Sequence, residues 1–129
     1  MAPVRFIGGR VARGRGEGAA FTQIPWARAE FVARLGVDPF PGTLNLVPED
    51  AAAWAALRTT PGILIPSPDP KFCDARAWRV RVAGRIDCAV VVPDVPGYPG
   101  DKIEIIAAVR VRDALGLADG DLVALEVLP

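Results

Sequence analysis

Two short segments of the chain carry residue types that bind phosphate and hard cations. The first places three glycines at alternate positions, so that main-chain N–H groups can approach an anion without side-chain obstruction. In the second, a threonine and an asparagine lie two residues apart. Because alternate side chains of a strand point to the same face, Thr43 and Asn45 could share one cation. The two segments are Gly14-Arg15-Gly16-Glu17-Gly18 and Pro39-Phe40-Pro41-Gly42-Thr43-Leu44-Asn45-Leu46.

Each segment also has a simpler interpretation. A glycine cluster is commonly a turn, and this one has neither the Lys-Ser/Thr ending of a Walker loop nor the G-x-G-x-x-G spacing of dinucleotide sites. Alternating polar residues are equally typical of a strand with one solvent-facing side. Mg²⁺ usually completes its coordination shell with water and substrate phosphates, so a metal at Thr43 and Asn45 would arrive with a nucleotide.

The composition bounds the possible functions. The 129 residues suffice for one self-sufficient core. Fifteen basic and fifteen acidic residues cancel, which argues against nucleic acid or a membrane as a partner. Residues 1–36, however, contain six arginines and only two glutamates, an excess that favours an anionic ligand. The chain has no histidine, which excludes Ser-His-Asp and Cys-His nucleophiles and histidine-bound metals.

The sequence contains no segment typical of membrane insertion or of secretion. No run reaches the roughly eighteen apolar residues of a membrane span, and the N terminus has no extended apolar signal region. Cys73 and Cys88 are too few for a disulfide scaffold and lack zinc-ligand spacing, so both are expected to be reduced thiols. We expect a cytoplasmic monomer with a single domain over residues 1–129.

Hydrophobic periodicity predicts mostly short strands. They are expected over residues 6–12, 43–47, 78–82, 86–92, 102–107 and 121–128. The dipeptide Gly84-Arg85 predicts a tight turn that joins the third and fourth of them into a hairpin. Because so many short strands occur without regular helix alternation, a small closed barrel is favoured, since closure removes exposed sheet edges.

Helices are predicted at three places, over residues 25–35, 50–58 and 109–115. Pro25 suits the first position of the first helix, and Gly36 suits the position after its last turn. The stretch 61–70 contains four prolines. It is expected to be an ordered loop or a flexible lid.

The order and spacing of these segments resemble those of the archaeal-type CTP-dependent riboflavin kinases. The resemblance runs from about residue 6 to residue 127 and is weakest over residues 49–74. Beyond the two opening segments, it is carried by Phe21, Leu35-Gly36, Ile103-Glu104-Ile105-Ile106-Ala107, Arg112, Leu115 and Leu117-Ala118-Asp119-Gly120-Asp121. It implies a mainly β fold, a small closed six-stranded cradle-loop barrel with two or three short peripheral helices and ligands at one mouth. Family members often carry an N-terminal winged helix, and none is expected here because the glycine-rich segment already begins at Gly14.

The resemblance also implies a reaction and its residues. The terminal phosphoryl group of CTP passes to the 5′-hydroxyl of riboflavin in a Mg²⁺-dependent reaction that gives FMN and CDP. By resemblance, Thr43 and Asn45 bind Mg²⁺, and Glu104 contacts the flavin. Flavin contacts are also assigned to Pro96 and Tyr98. From residue type alone, Trp26, Trp54, Trp78 and Tyr98 could each stack on the flavin ring, and Tyr98 leads because it precedes Glu104. The nucleotide-binding residues are expected to be Gly14, Arg15, Gly16, Glu17, Gly18, Ala19, Arg110, Val111, Arg112 and Asp113.

Two residue roles and the activity itself stay open. Glu104 either accepts hydrogen bonds from the flavin or acts as the base for the attacking hydroxyl. Pro96 falls where the family has a threonine that contacts the flavin phosphate, and proline has neither a hydroxyl nor an N–H to donate. The chain is therefore a CTP-dependent riboflavin kinase, a non-catalytic flavin- or nucleotide-binding barrel, or a related kinase with another donor or acceptor.

Overall fold

The computed structural model of the chain describes residues 4–14 and 21–129. In this part of the chain the strands are β1 (Phe6–Ala12), β2 (Leu44–Pro48), β3 (Ile63–Ile65), β4 (Ala75–Val82), β5 (Ile86–Pro93), β6 (Ile103–Ile106) and β7 (Leu122–Val127). The helices with defined bounds are α1 (Pro25–Leu35), α2 (Ala51–Arg58) and α3 (Val111–Leu115).

Antiparallel pairing closes six of these strands into a barrel. The order around the ring is β4-β5-β6-β2-β1-β7, and β7 returns to pair with β4. On the edge of β4 that does not pair with β5, residues 75–77 pair with β3 and residues 80–82 pair with β7. The predicted closed six-stranded barrel is thus confirmed, with β3 as an additional strand beside it.

Strand alternation separates the barrel interior from its outer face. One buried cluster takes residues from all six barrel strands: Ile7, Val11, Leu44, Leu46, Val80, Val82, Cys88, Val90, Ile103, Ile105, Val123 and Leu125. A second cluster joins α1 to the outer face of the wall, and it contains Ala27, Phe31, Leu35, Ala75, Ala77, Ala89, Val91 and Ile106. The residues that alternate with the interior positions therefore point outward, toward α1 or toward solvent.

The helix boundaries follow from local capping. In α1, Pro25 occupies the first turn, and Gly36 ends the helix with φ of 70°, a left-handed conformation that glycine adopts without strain. At the start of α2, the Asp50 carboxylate accepts hydrogen bonds from the N–H groups of Ala52 and Ala53 at 3.0 and 3.1 Å. Helix α3 begins two residues later than expected because Arg110 is still extended.

The proline-rich stretch 61–70 contains a strand that the sequence did not predict. Strand β3 pairs with the start of β4, and β4 itself begins three residues before the predicted position. Trp78 anchors the same region, since its Nε1 donates to Thr60 Oγ1 at 3.0 Å. Three residues are too few to show the alternation of a strand, and the pairing partner lies about ten residues away in the chain.

No helix in residues 4–14 or 21–129 is long and apolar enough to cross a membrane.

Both cysteines are free thiols. Because Cys88 lies inside the barrel, we predict that it reacts more slowly than Cys73. Cys88 is only 3% exposed, and burial, with a smaller effect of the Asp87 charge, raises its pKa to about 12. Since the thiolate is the reactive form, a maleimide at pH 8 should label Cys88 at least about 100-fold more slowly than the partly exposed Cys73. Mass spectrometry of the wild type and of Cys73→Ser measures both rates. Similar rates would contradict the interior position of Cys88.

Candidate functional site

A cleft of about 1040 Å³ lies over the outer face of the barrel wall, at the upper end of the usual size range for small-molecule sites. Phe31, Val91 and Ile106 line it, and all three belong to the outer-face cluster. The loops after β1, before β2 and between β5 and β6 frame it, together with the start of α3. The sequence led us to expect ligands at a barrel mouth. In the structure the cleft lies on the outer face. The polar residues of β2 and β6 that line it alternate along their strands with leucines and isoleucines that point into the barrel, so the polar side chains point outward.

Strand register fixes the centre of the cleft. Asn45 on β2 lies directly opposite Ala12 on β1 and, on its other side, opposite Glu104 on β6. Side chains opposite one another in antiparallel strands share a face and have Cβ atoms about 4.5–5.5 Å apart. Asn45 and Glu104 are therefore neighbours, and the short side chain of Ala12 leaves space beside them.

Thr43, Asn45 and Glu104 form a connected polar cluster, which we call the oxygen cluster. Asn45 Nδ2 donates to the main-chain oxygen and to Oγ1 of Thr43, both at 3.2 Å. Thr43 Oγ1 in turn donates to Glu104 Oε2 at 3.4 Å. The two predicted cation ligands thus lie beside the predicted flavin residue. Rotation of the Asn45 amide would turn its oxygen toward the same point, since the two amide atoms have nearly the same shape.

The other carboxylate oxygen of Glu104 has two donors. Tyr98 donates its hydroxyl to Oε1 at 2.7 Å, and Lys102 Nζ lies 3.2 Å from the same atom. Burial is the main cause that raises the pKa of Tyr98 above its ordinary value, and the hydrogen bond to Glu104 adds to it. The hydroxyl therefore stays protonated and continues to donate. Sequence reasoning missed Lys102, although its position two residues before Glu104 predicts that the two side chains share a face.

Gly14 lies against the oxygen cluster. A Cβ atom at this position would be 2.9 Å from Asn45 Cγ and closer still to Nδ2, a separation that real Cβ atoms do not adopt. Glycine is needed here because the backbone approaches Asn45 so closely. The other predicted nucleotide residues of this segment, Arg15, Gly16, Glu17, Gly18 and Ala19, lie outside the described residues.

Three of the four predicted nucleotide-binding residues of the α3 segment lie along the cleft. Arg110, Arg112 and Asp113 line it. Arg110 is paired with Asp113, and Arg112 is paired with Asp119 at 2.8 Å. The side chain of Val111 is only 4% exposed and packs in the interior cluster, so only its main chain is available to a ligand. Helix α3 therefore presents its arginines to the cleft and anchors itself through Val111.

Aromatic rings form a second, apolar part of the cleft. Phe21 and Phe72 line it, with their ring centroids 6.4 Å apart, and Trp26 packs against both. Pro96 and Tyr98, the predicted flavin contacts, also line the cleft. Phe21 belongs to the segments that carry the family resemblance, whereas Phe72 lies where the resemblance is weakest, so no sequence signal identified it.

The donor chemistry of the oxygen cluster fits a hard cation. Among the described residues, no group of three or more histidine, cysteine, aspartate or glutamate side chains could hold a metal ion. Thr43, Asn45 and Glu104 instead offer a hydroxyl, an amide and a carboxylate. Mg²⁺ binds such oxygens, usually through few protein ligands together with substrate phosphates and water. The cluster thus suits a cation that is shared with a phosphate-bearing ligand.

The fold and the cleft together define a closed β-barrel with a cleft of small-molecule size, whose polar centre lies between a glycine backbone and an aromatic wall. The family model CTP-dep_RFKase, described as "Domain of unknown function DUF120", matches residues 11–127. The chain belongs to this family.

Curated relatives of the chain include riboflavin kinases from Pyrobaculum arsenaticum, Methanosarcina mazei and Archaeoglobus fulgidus. The chain is 41%, 44% and 39% identical to them over 99%, 92% and 95% of its own length. The aligned parts make up 62%, 55% and 54% of those proteins. The chain thus spans somewhat more than half the length of these relatives.

The contact between Tyr98 and Glu104 predicts an alkaline titration. Tyr98 is the only tyrosine in the sequence, so phenolate absorbance reports on it alone. Its titration midpoint should lie above the ordinary value of about 10. Glu104→Gln should lower that midpoint, because it removes the negative charge that disfavours the phenolate. The surface substitution Glu126→Gln is the control. Equal midpoints in wild type and Glu104→Gln, with both proteins folded by circular dichroism, would contradict the contact.

The close approach of Gly14 to Asn45 predicts a spectroscopic effect. Asn45 and Gln23 are the only asparagine and glutamine of the chain, so each gives one pair of side-chain amide resonances. Gly14→Ala should shift the Asn45 pair, since the added methyl displaces that side chain, and should leave the Gln23 pair unchanged. Gly8→Ala is the matched control, because its Cβ would have no neighbour nearer than 3.8 Å. An unshifted Asn45 pair in Gly14→Ala would refute the packing.

Proposed function

We propose that this chain is a Mg²⁺-dependent riboflavin kinase that transfers the terminal phosphoryl group of CTP to the 5′-hydroxyl of riboflavin. Family membership and the names of the curated relatives support the kinase activity, and the family's name supports CTP as the donor. The observation that carries the proposal is the oxygen cluster beside Gly14, in a cleft with room for two ligands.

The nucleotide phosphates are proposed to bind at the end of the cleft near Gly14. Gly14 has no side chain of its own to obstruct a ligand, and Arg13, Arg110 and Arg112 line the same cleft. Guanidinium groups bind phosphate oxygens through several parallel hydrogen bonds. Of the arginines in residues 1–36, Arg13 lines the cleft, whereas Arg10, Arg28 and Arg34 are paired with carboxylates elsewhere on the surface.

The cation is proposed to bind at Thr43 and Asn45, with Glu104 adjoining. Bound Mg²⁺ would neutralise negative charge on the phosphates as the phosphoryl group moves. The chain itself supplies the alignment, because the register of β2 against β6 sets Asn45 opposite Glu104, and Thr43 is hydrogen-bonded to both. Phosphoryl transfer depends mainly on such positioning and on charge neutralisation.

Riboflavin is proposed to bind beside Glu104 and the aromatic wall. Phe21 and Phe72 offer ring surfaces that suit a planar heterocycle. Tyr98 holds the Glu104 carboxylate in one orientation, from which it can accept a hydrogen bond from a hydroxyl of the ligand. Pro96 offers only apolar surface.

The proposed reaction exchanges one phosphorus–oxygen bond for another. The 5′-oxygen of riboflavin bonds to the terminal phosphorus of CTP while the bond from that phosphorus to the bridging oxygen breaks. The electron pair of the broken bond stays on CDP, and the hydroxyl proton is released to water. Glu104 is either the residue that orients the hydroxyl or the base that relays its proton.

Asn45→Ala should lower Mg²⁺-dependent FMN formation by at least about 100-fold, because it removes one of the positioned cation ligands. Chromatographic detection of FMN, with CTP, UTP, ATP and GTP as alternative donors, measures this effect and the donor preference together. Val47→Ala is the matched control, since Val47 lies two residues further along the outer face of β2, is 45% exposed and does not line the cleft.

Two outcomes would contradict the proposal. Unchanged Mg²⁺-dependent turnover in Asn45→Ala would refute the cation site. Tight binding of CTP and riboflavin by the wild type, without FMN from any donor, would identify a non-catalytic binding barrel instead.

A further inference from the structure

We propose that Lys102 is a catalytic residue, whose ammonium group contacts the phosphoryl group during its transfer. This inference rests on the proposed kinase function and adds a residue to its site. In this role the ammonium group acts by charge and hydrogen bonding alone.

The geometry of Lys102 leaves it free to bind a second group. Its Nζ lies 3.2 Å from Glu104 Oε1, which is longer than the 2.7–2.9 Å of a tight charge-assisted hydrogen bond. An ammonium group has three donors, and within residues 4–14 and 21–129 Glu104 is the one polar partner of this lysine. The side chain is 31% exposed and lines the cleft. Unused donors are therefore available to a ligand in the cleft.

The Tyr98 ring keeps the ammonium group close to the oxygen cluster. Lys102 Nζ lies 5.9 Å from the ring centroid, within the range of a cation–π contact. Tyr98 also donates to the same Glu104 oxygen that Lys102 approaches. The ring and the carboxylate thus hold the charge from two sides without using up its donors.

The other cations along the cleft are placed differently. Arg13 lines the cleft as well, and Arg110 and Arg112 are paired with Asp113 and Asp119. Among the described residues, Lys102 is the cation that contacts the oxygen cluster itself. A phosphoryl group bound at that cluster would otherwise face the negative charge of Glu104, and Lys102 offsets this repulsion where it is strongest.

Chemical modification tests this contact without measuring turnover. The chain has only two lysines, Lys71 and Lys102, and Lys71 does not line the cleft. Acetylation by a succinimidyl ester is followed at each lysine by peptide mass spectrometry, with and without CTP and Mg²⁺. At ten times the dissociation constant of the nucleotide, modification of Lys102 should slow about tenfold, because only the free protein reacts. The rate at Lys71 should not change. Equal rates at Lys102 with and without nucleotide would overturn the inference.

Kinetics separate a catalytic role from a structural one. Lys102→Met should lower kcat by about 10²–10³-fold with little change in the KM for riboflavin, since the lost interaction is strongest in the transition state. Lys102→Arg should recover part of the loss because it restores the charge, and Lys71→Met should behave as wild type. A higher KM at unchanged kcat in Lys102→Met would overturn the inference.

The two proposals can fail separately. If the wild type makes no FMN, the kinase function fails, and the protection of Lys102 by nucleotide still decides whether this residue contacts phosphate. If the wild type turns over and Lys102→Met does so equally well, only the role of Lys102 is refuted. Thermal unfolding of each variant by circular dichroism confirms that the comparison is between folded proteins.

Discussion

The antiparallel register that aligns β1, β2 and β6 is the constraint on which the site depends. It sets Ala12, Asn45 and Glu104 in one row across three strands. The register is fixed from the opposite face, because Leu44 and Leu46 pack with residues of β6 inside the barrel. A slip of one residue would exchange the two faces of β2 and put leucines into the cleft. The hydrophobic core therefore positions the polar chemistry.

Around this row the cleft divides into regions of different chemistry. Gly14 brings its backbone close to Asn45, and arginines of the α3 segment lie along the same cleft. Glu104 is oriented by donors from the β5–β6 loop, and phenylalanine rings form an apolar wall. The cleft thus has a polar part lined by cations and a separate aromatic part. The proposed simultaneous binding of a nucleotide and a planar heterocycle with a hydroxyl-bearing chain requires both parts.

Local sequence patterns predicted most of the strands and helices. They did not predict the features that depend on contacts between distant segments. The bounds of β1 and α1 followed from alternation and from Pro25 and Gly36. Strand β3 was missed because its three residues are defined by pairing with β4 and not by their own pattern. The residue types identified Thr43 and Asn45 as candidates and the family resemblance identified Glu104, but their hydrogen bonds depend on the tertiary fold. Phe72 reaches the cleft only through the tertiary fold, so its sequence surroundings gave no indication.

The central claim is that the oxygen cluster beside Gly14 holds the metal-bound phosphates of the donor. A crystal structure with CDP and Mg²⁺ tests it most directly. We expect the cation within about 2.0–2.1 Å of oxygens of Thr43 and Asn45, the distance usual for Mg²⁺, with the nucleotide phosphates against the backbone at Gly14. A nucleotide bound elsewhere, with Thr43 and Asn45 contacting only water, would contradict the account.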